Sequence, residues 1–188
     1  MDKLIGFGAS TAQGSCDSQG GFLKRLERKL IAAGKPRECL NLGIGGNTTR
    51  DMVARLDQVK PHLPCPAIII LGCNDLPRVA EVNPARTSLG EYTKNIETIL
   101  QFFAGPETIF VSSFVVDLPR VGIAPETFSS YMDAALKFAA SLKLTVWDLY
   151  TESLAFDGKY LSPDRIHFSD EGHEFIANRL LPMVLKLD

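Results

Sequence analysis

The chain has 188 residues, of which 45% are hydrophobic and 22% charged, with a formal net charge of -2; these are ordinary globular values and enough length to bury one core without disulfide or metal support. That charge balance offers no basic surface and argues against a nucleic-acid partner. The longest apolar run, Ala67 to Leu71, is far short of the roughly 18 to 20 residues needed for a membrane span, and Asp2-Lys3 opens no signal peptide, so one soluble cytoplasmic domain over residues 1–188 is expected.

In chain order, Leu4 to Phe7 reads as the first strand. Behind it, Gly6-Phe7-Gly8-Ala9-Ser10-Thr11-Ala12-Gln13-Gly14-Ser15 brackets a serine with glycines, where a backbone leaving a strand can turn sharply and present a hydroxyl at the sheet edge. Ser10 is therefore a candidate nucleophile, with a helix-capping or turn role as the plain alternative. Gly21 to Ala33 carries Phe22, Leu23, Leu26, Leu30 and Ile31 on one side and stops at Gly34-Lys35-Pro36, the pattern of an amphipathic helix.

The second strand, Cys39 to Leu42, runs into Gly43-Ile44-Gly45-Gly46-Asn47-Thr48-Thr49. Glycines there let backbone amides approach a ligand or simply make a tight turn, and Thr48 or Thr49 can cap the helix expected over Thr49 to Val59. The third strand, Ala67 to Leu71, is followed by Gly72-Cys73-Asn74-Asp75. Asn74 supplies a neutral amide donor suited to a developing oxyanion, Asp75 can cap or buttress, and the pair can equally be an ordinary turn. Cys73 reads as a small packing residue.

Further on come a helix over Leu89 to Phe103, a strand over Thr108 to Ser112, a helix over Phe128 to Leu142 and a strand over Leu144 to Trp147. A last helix runs from near Ser169 to about Leu185, with Asp170 and Glu171 in its first turn, where the dipole favours acids. Strand and helix in alternation predict a three-layer α/β/α sandwich around a five-stranded, mostly parallel sheet, whose near-continuous apolar strands suit burial on both faces. A site in such a sheet lies beyond the carboxyl ends of the strands.

Between the last strand and the last helix, Asp164 and His167 stand three residues apart. A carboxylate and an imidazole at that spacing can hydrogen-bond, which fixes the ring tautomer and leaves the other nitrogen as a general base. Asp148, after Trp147, competes as the acid but suits a capping role. His173 falls inside the last helix while His167 precedes it, His62 sits beside Pro61 in a linker, and the four cysteines contain no Cys-x-x-Cys pair. Neither a metal nor a cofactor is predicted.

Taken together, the blocks Phe7-Gly8-Ala9-Ser10 through Gly14, Asn41 to Thr49, Gly72-Cys73-Asn74-Asp75 and Asp164-Arg165-Ile166-His167 resemble those of the GDSL, or SGNH, esterase and lipase family, in order and over essentially the whole chain. The resemblance implies a flavodoxin-like SGNH-hydrolase architecture and a serine esterase acting on small carboxylic esters. It implies Ser10 as nucleophile, Asp164 and His167 as the other members of the triad, and the Ser10 and Gly46 amides with the Asn74 side chain as the oxyanion hole. Ala9 and Asn47 depart from the family pattern, which has aspartate at those places in many members. The missing acids lessen the electrostatic support for a protonated His167, so Ala9→Asp is expected to shift the acid limb of activity upward.

The segments Leu76 to Ser88 and Val115 to Thr127 lack strong periodicity and are expected to rim the site. Within the same family a carbohydrate O-acetylesterase is the alternative. Outside it stand a flavodoxin-like FMN- or phosphate-binding protein, with Ser10 to Gly14 cradling the phosphate, and a catalytically silent binding relative.

Overall fold

The structure, a computed structural model, describes residues 2–77 and 87–187. Its strands are β1 (Asp2–Gly8), β2 (Arg37–Gly43), β3 (Ala67–Ile70), β4 (Thr108–Val111) and β5 (Thr145–Trp147). Its helices are α1 (Ser10–Gln13), α2 (Gly21–Ala32), α3 (Thr49–Ala54), α4 (Leu89–Phe102), α5 (Leu118–Val121), α6 (Pro125–Ser141), α7 (Leu149–Ser153) and α8 (Asp170–Val184). The strands form one sheet in the order β2-β1-β3-β4-β5, every neighbouring pair parallel. Helices cover both faces, α2 packed on α8, and α4 on both α3 and α6.

The apolar pattern explains the placement. The strands β3 (Ala-Ile-Ile-Ile) and β4 (Thr-Ile-Phe-Val) are buried at every residue, as interior strands covered on both faces must be. The edge strands β2 and β5 are only partly covered, and Val146 on β5 is exposed. Phe7, Phe22, Phe110 and Phe128 are fully buried, each side chain worth about 1.5–3 kcal/mol on transfer from water.

Each expected strand is present, with ends shifted by at most two residues. The helix expected over Thr49 to Val59 is shorter. It ends at Ala54, and two 3-10 turns follow, Leu56–Gln58 and Lys60–His62. Pro61 brings no amide to continue a ladder, and Arg55, where α3 stops, turns inward to carbonyl groups of the neighbouring strand ends. The short helices α1, α5 and α7 have no apolar periodicity to announce them. Asp148 caps α7 by accepting the Thr151 amide at 3.0 Å, which agrees with the capping role read for it.

Of the two expected rims, Leu76 to Ser88 lies mostly outside the described residues. The other contains α5, and its Val116, Val121 and Ile123 are buried in the core. Among the described residues no helix is long and apolar enough to cross a membrane.

Candidate active site

Parallel pairing brings three strand ends into line. Gly8 of β1 stands opposite Gly43 of β2 on one side and Ile70 of β3 on the other. Ser10, Gly46 and Asn74 follow those residues by two, three and four positions, so three of the candidates emerge at one sheet edge. Ser10 is the first residue of α1, where the backbone amide has no partner inside the helix. Gly46 sits at φ +79°, with open space where a side chain would stand, a conformation L side chains rarely adopt. The Asn74 side-chain amide donates to the Asn47 carbonyl at 3.0 Å, which draws the third strand end onto the glycine loop.

Close backbone packing holds this edge. A Cβ on Gly43 would lie 2.2 Å from the Gln13 amide nitrogen, so β2 can press against α1 only through a glycine. Buried Arg55 donates to the Leu42 carbonyl at 2.7 Å, the Gly8 carbonyl at 2.8 Å and the Asn47 side-chain oxygen at 2.7 Å, with its guanidinium over the Phe7 ring. Asn47 and Ala9, which depart from the family pattern, thus have different circumstances: Asn47 accepts from Arg55, while Ala9 is buried and caps α1 without a side-chain bond. Asp75 buttresses the same loop, accepting the Thr49 amide at 2.9 Å and its hydroxyl at 2.6 Å. Burial pushes the Asp75 carboxyl up, and the bonds from Thr49 offset only part of that.

The last candidates lie on a tight turn. Ser162 and His167 close it from outside, the Ser162 amide donating to the His167 carbonyl at 2.7 Å, with Arg165 at φ +64°. Asp164 uses one carboxylate oxygen inside the turn, accepting the Ser162 hydroxyl at 2.6 Å and the Ile166 and His167 amides at 2.8 and 2.9 Å. Its other oxygen faces His167 Nδ1 at 2.7 Å. Burial pushes the Asp164 carboxyl up, but the His167 amide, the Ser162 hydroxyl, the His167 ring and the Ile166 amide outweigh it and hold the group well below the usual carboxylate range. An ionised Asp164 is an acceptor only, so Nδ1 is the ring nitrogen that donates, and in the neutral ring Nε2 is the one with the lone pair.

The helix α8 that follows the turn docks on α2 and the loop before it, through residues that sequence spacing does not reveal. His173 is fully buried; its Nδ1 accepts the Phe22 amide at 3.2 Å and its Nε2 donates to the Ser15 carbonyl at 3.1 Å. Burial lowers its pKa, consistent with a neutral ring clamping α8 to the loop before α2. Asp17 accepts from Arg25 at 2.6 Å and from the Gly21 amide at 2.6 Å, and Arg25 also reaches Glu174 on α8 at 3.0 Å. Ser18 completes the seam through its amide on Asp170 at 2.8 Å. Asp117, before α5, donates its amide to the Arg165 carbonyl at 3.0 Å, so the second expected rim does border the histidine turn.

His167 and Asp164 are therefore joined, and Ser10, Gly46 and Asn74 share one edge. Among the described residues no hydrogen bond links the Ser10 hydroxyl to His167, a bond that in unliganded sites often tightens only with substrate. Cys16 was not singled out from the sequence; its Sγ lies 3.5 Å from the Asp164 oxygen that faces His167. No local pattern marks Arg55, His173 or Cys16, each of which has a partner far away in sequence.

Comparison with known proteins agrees with the fold. The GDSL-like Lipase/Acylhydrolase family is matched over residues 7–175. The human isoamyl acetate-hydrolyzing esterase 1 homolog is 26% identical over 98% of this chain and 82% of its own length. Among solved structures, the lipase/acylhydrolase from Enterococcus faecalis superposes with a TM-score of 0.86 at 23% identity, covering 98% of this chain and 95% of that one. Axe2, an acetylxylan esterase from Geobacillus stearothermophilus, gives a TM-score of 0.79 at 21% identity over 97% and 94% of the two chains.

Proposed function

The chain belongs to the GDSL-like lipase/acylhydrolase family and is a carboxylic ester hydrolase, and from that premise we propose that it cleaves small carboxylic esters through an acyl-enzyme on Ser10. The observation that carries this reading is the 2.7 Å bond between His167 Nδ1 and an Asp164 held ionised by its own turn. It leaves Nε2 as a base in the one tautomer that can accept the Ser10 proton.

Ser10 Oγ attacks the ester carbonyl as His167 Nε2 takes its proton, and Asp164 stabilises the imidazolium that results. The carbonyl oxygen, now an oxyanion, is held by the amides of Ser10 and Gly46 and by the Asn74 side chain. As the carbon–oxygen bond to the alcohol breaks, Nε2 returns the proton to the leaving oxygen. Water then repeats the sequence on the acyl-enzyme, giving the acid and restoring Ser10.

The names of the human relative and of Axe2 both specify acetate esters, which supports a short acyl group. A carbohydrate acetate is the second reading, favoured by the likeness to Axe2. The test is a series of p-nitrophenyl esters from acetyl to long-chain, with an acetylated xylo-oligosaccharide as a further arm, on wild type and Ser10→Ala. Turnover falling with chain length and lost in Ser10→Ala is expected. Activity surviving in Ser10→Ala overturns the mechanism, and preference for the sugar acetate selects the second reading.

A further inference from the structure

Three side chains of zinc-binding type, the proposed base among them, converge at one point. Cys16 Sγ is 3.5 Å from one Asp164 oxygen, and His167 Nδ1 is 2.7 Å from that same oxygen. The three ligand atoms all lie within 4.8 Å of one another. Cys16 is exposed, so a hydrated ion can reach the thiol from solvent. The loop that carries it is tied down on both sides, by the Ser15 amide on the Ser10 carbonyl at 3.0 Å and by the Asp17 amide on the Gly14 carbonyl at 3.2 Å.

We propose that Cys16, Asp164 and His167 form an inhibitory site for a borderline-soft divalent cation such as Zn2+. Zinc bonds of about 2.3 Å to sulfur and about 2.0–2.2 Å to nitrogen and oxygen, arranged tetrahedrally, put a sulfur and an oxygen ligand about 3.6 Å apart and a nitrogen and an oxygen about 3.4 Å apart. The thiol and carboxylate already stand at that separation. The imidazole and carboxylate need to part by a fraction of an ångström, as the proton between them gives way to the ion.

Binding exchanges water ligands of the ion for three bonds to the protein, releases the Cys16 thiol proton to water and moves the ring proton from Nδ1 to Nε2, with nothing oxidised or reduced. A ring protonated on Nε2 cannot accept a proton from Ser10, and the carboxylate that oriented it is occupied. A thiolate in the set selects against Mg2+ and Ca2+, which prefer oxygen ligands. The ligands come from positions 148 and 151 residues apart, so Cys-x-x-Cys or His-x-x-His spacing does not announce them.

The inhibition rests on the reading of His167 as general base, whereas binding does not, and the experiment separates them. Wild type, Cys16→Ser and Ser10→Ala are titrated with Co2+, following the thiolate-to-cobalt charge-transfer band, and ester hydrolysis by the first two is followed in buffered Zn2+ with Mg2+ as control. Each protein is compared with itself before metal is added. Expected are the cobalt band in wild type and Ser10→Ala but not in Cys16→Ser, loss of at least about tenfold in wild-type rate with zinc, recovery on chelation, and a zinc midpoint at least about tenfold higher in Cys16→Ser. A band in Ser10→Ala together with no ester hydrolysis by wild type keeps the metal site and removes the esterase reading. Equal zinc sensitivity in wild type and Cys16→Ser, or a cobalt band that persists without the Cys16 thiol, overturns the site.

Discussion

The two halves of the candidate site are held by different means. The serine half hangs on the sheet: Ser10, Gly46 and Asn74 inherit their positions from the register of β1, β2 and β3, and glycine lets the loops approach as closely as they do. The histidine half is a self-contained turn organised around one carboxylate, and the α8 helix that follows it is fastened to Ser15 and Phe22 by the His173 side chain. Backbone register tolerates side-chain change and fails when something is added at a close approach. A side-chain turn fails when one acceptor is lost.

That contrast sets the order of expected effects. Asp164→Asn strikes the turn at its organising atom, and an asparagine that donates to Nδ1 imposes the wrong ring tautomer. Turnover is expected to fall by about 10⁴, measured as kcat on p-nitrophenyl acetate, with the fold intact by circular dichroism. A loss below tenfold breaks the account of the histidine half. Asn74→Ala leaves both backbones in place and removes one oxyanion donor, for a loss of about 10² to 10³ in kcat, or roughly 3–4 kcal/mol; a small change in kcat makes Asn74 a turn residue. Gly43→Ala inverts the comparison, because the added methyl meets the Gln13 amide nitrogen at 2.2 Å. It is expected to cost about 1–3 kcal/mol of stability through a forced backbone shift, read as a lower urea midpoint, and an unchanged midpoint denies that close packing fixes the serine half.

The sheet was legible because each strand is a short apolar run ending in glycine or a small polar residue, as in Ala67 to Gly72. The Asp164-x-x-His167 turn was legible because both partners sit within three residues. What joins the halves was not. His173 looked like a surplus helix histidine, yet it bonds to Ser15 and Phe22, more than 150 residues earlier. Arg55 ends a helix that periodicity extended to Val59, since a pattern of apolar residues says nothing about a guanidinium turning inward to three acceptors. Contacts of that kind are set by tertiary packing, and local spacing carries no trace of them.

Acid titration offers the finest test of the same contrast, because the buttress of the serine half and the seam that joins the halves each carry one bracing carboxylate, and the two shift in opposite directions. Burial pushes Asp17 up, but Arg25 and the Gly21 amide outweigh it and draw it from 3.8 to about 2. A depressed carboxyl adds stability that is complete above pH 3.8 and is lost as the pH falls through about 2. Asp17→Asn should therefore lower the urea midpoint near neutral pH, with the gap to wild type closing in strong acid. Burial raises Asp75, so its carboxyl favours folding in the protonated form, and that contribution is lost as the pH climbs through its folded pKa. Asp75→Asn keeps an acceptor for Thr49 without the buried charge. The two proteins should be close in stability in strong acid, and Asp75→Asn should gain on wild type as the pH climbs, the opposite sign to the loss expected of Asp17→Asn near neutrality. Parallel pH dependences for the two variants would mean that the seam and the loop buttress unfold as one electrostatic unit, and the division into two differently held halves would have to be given up.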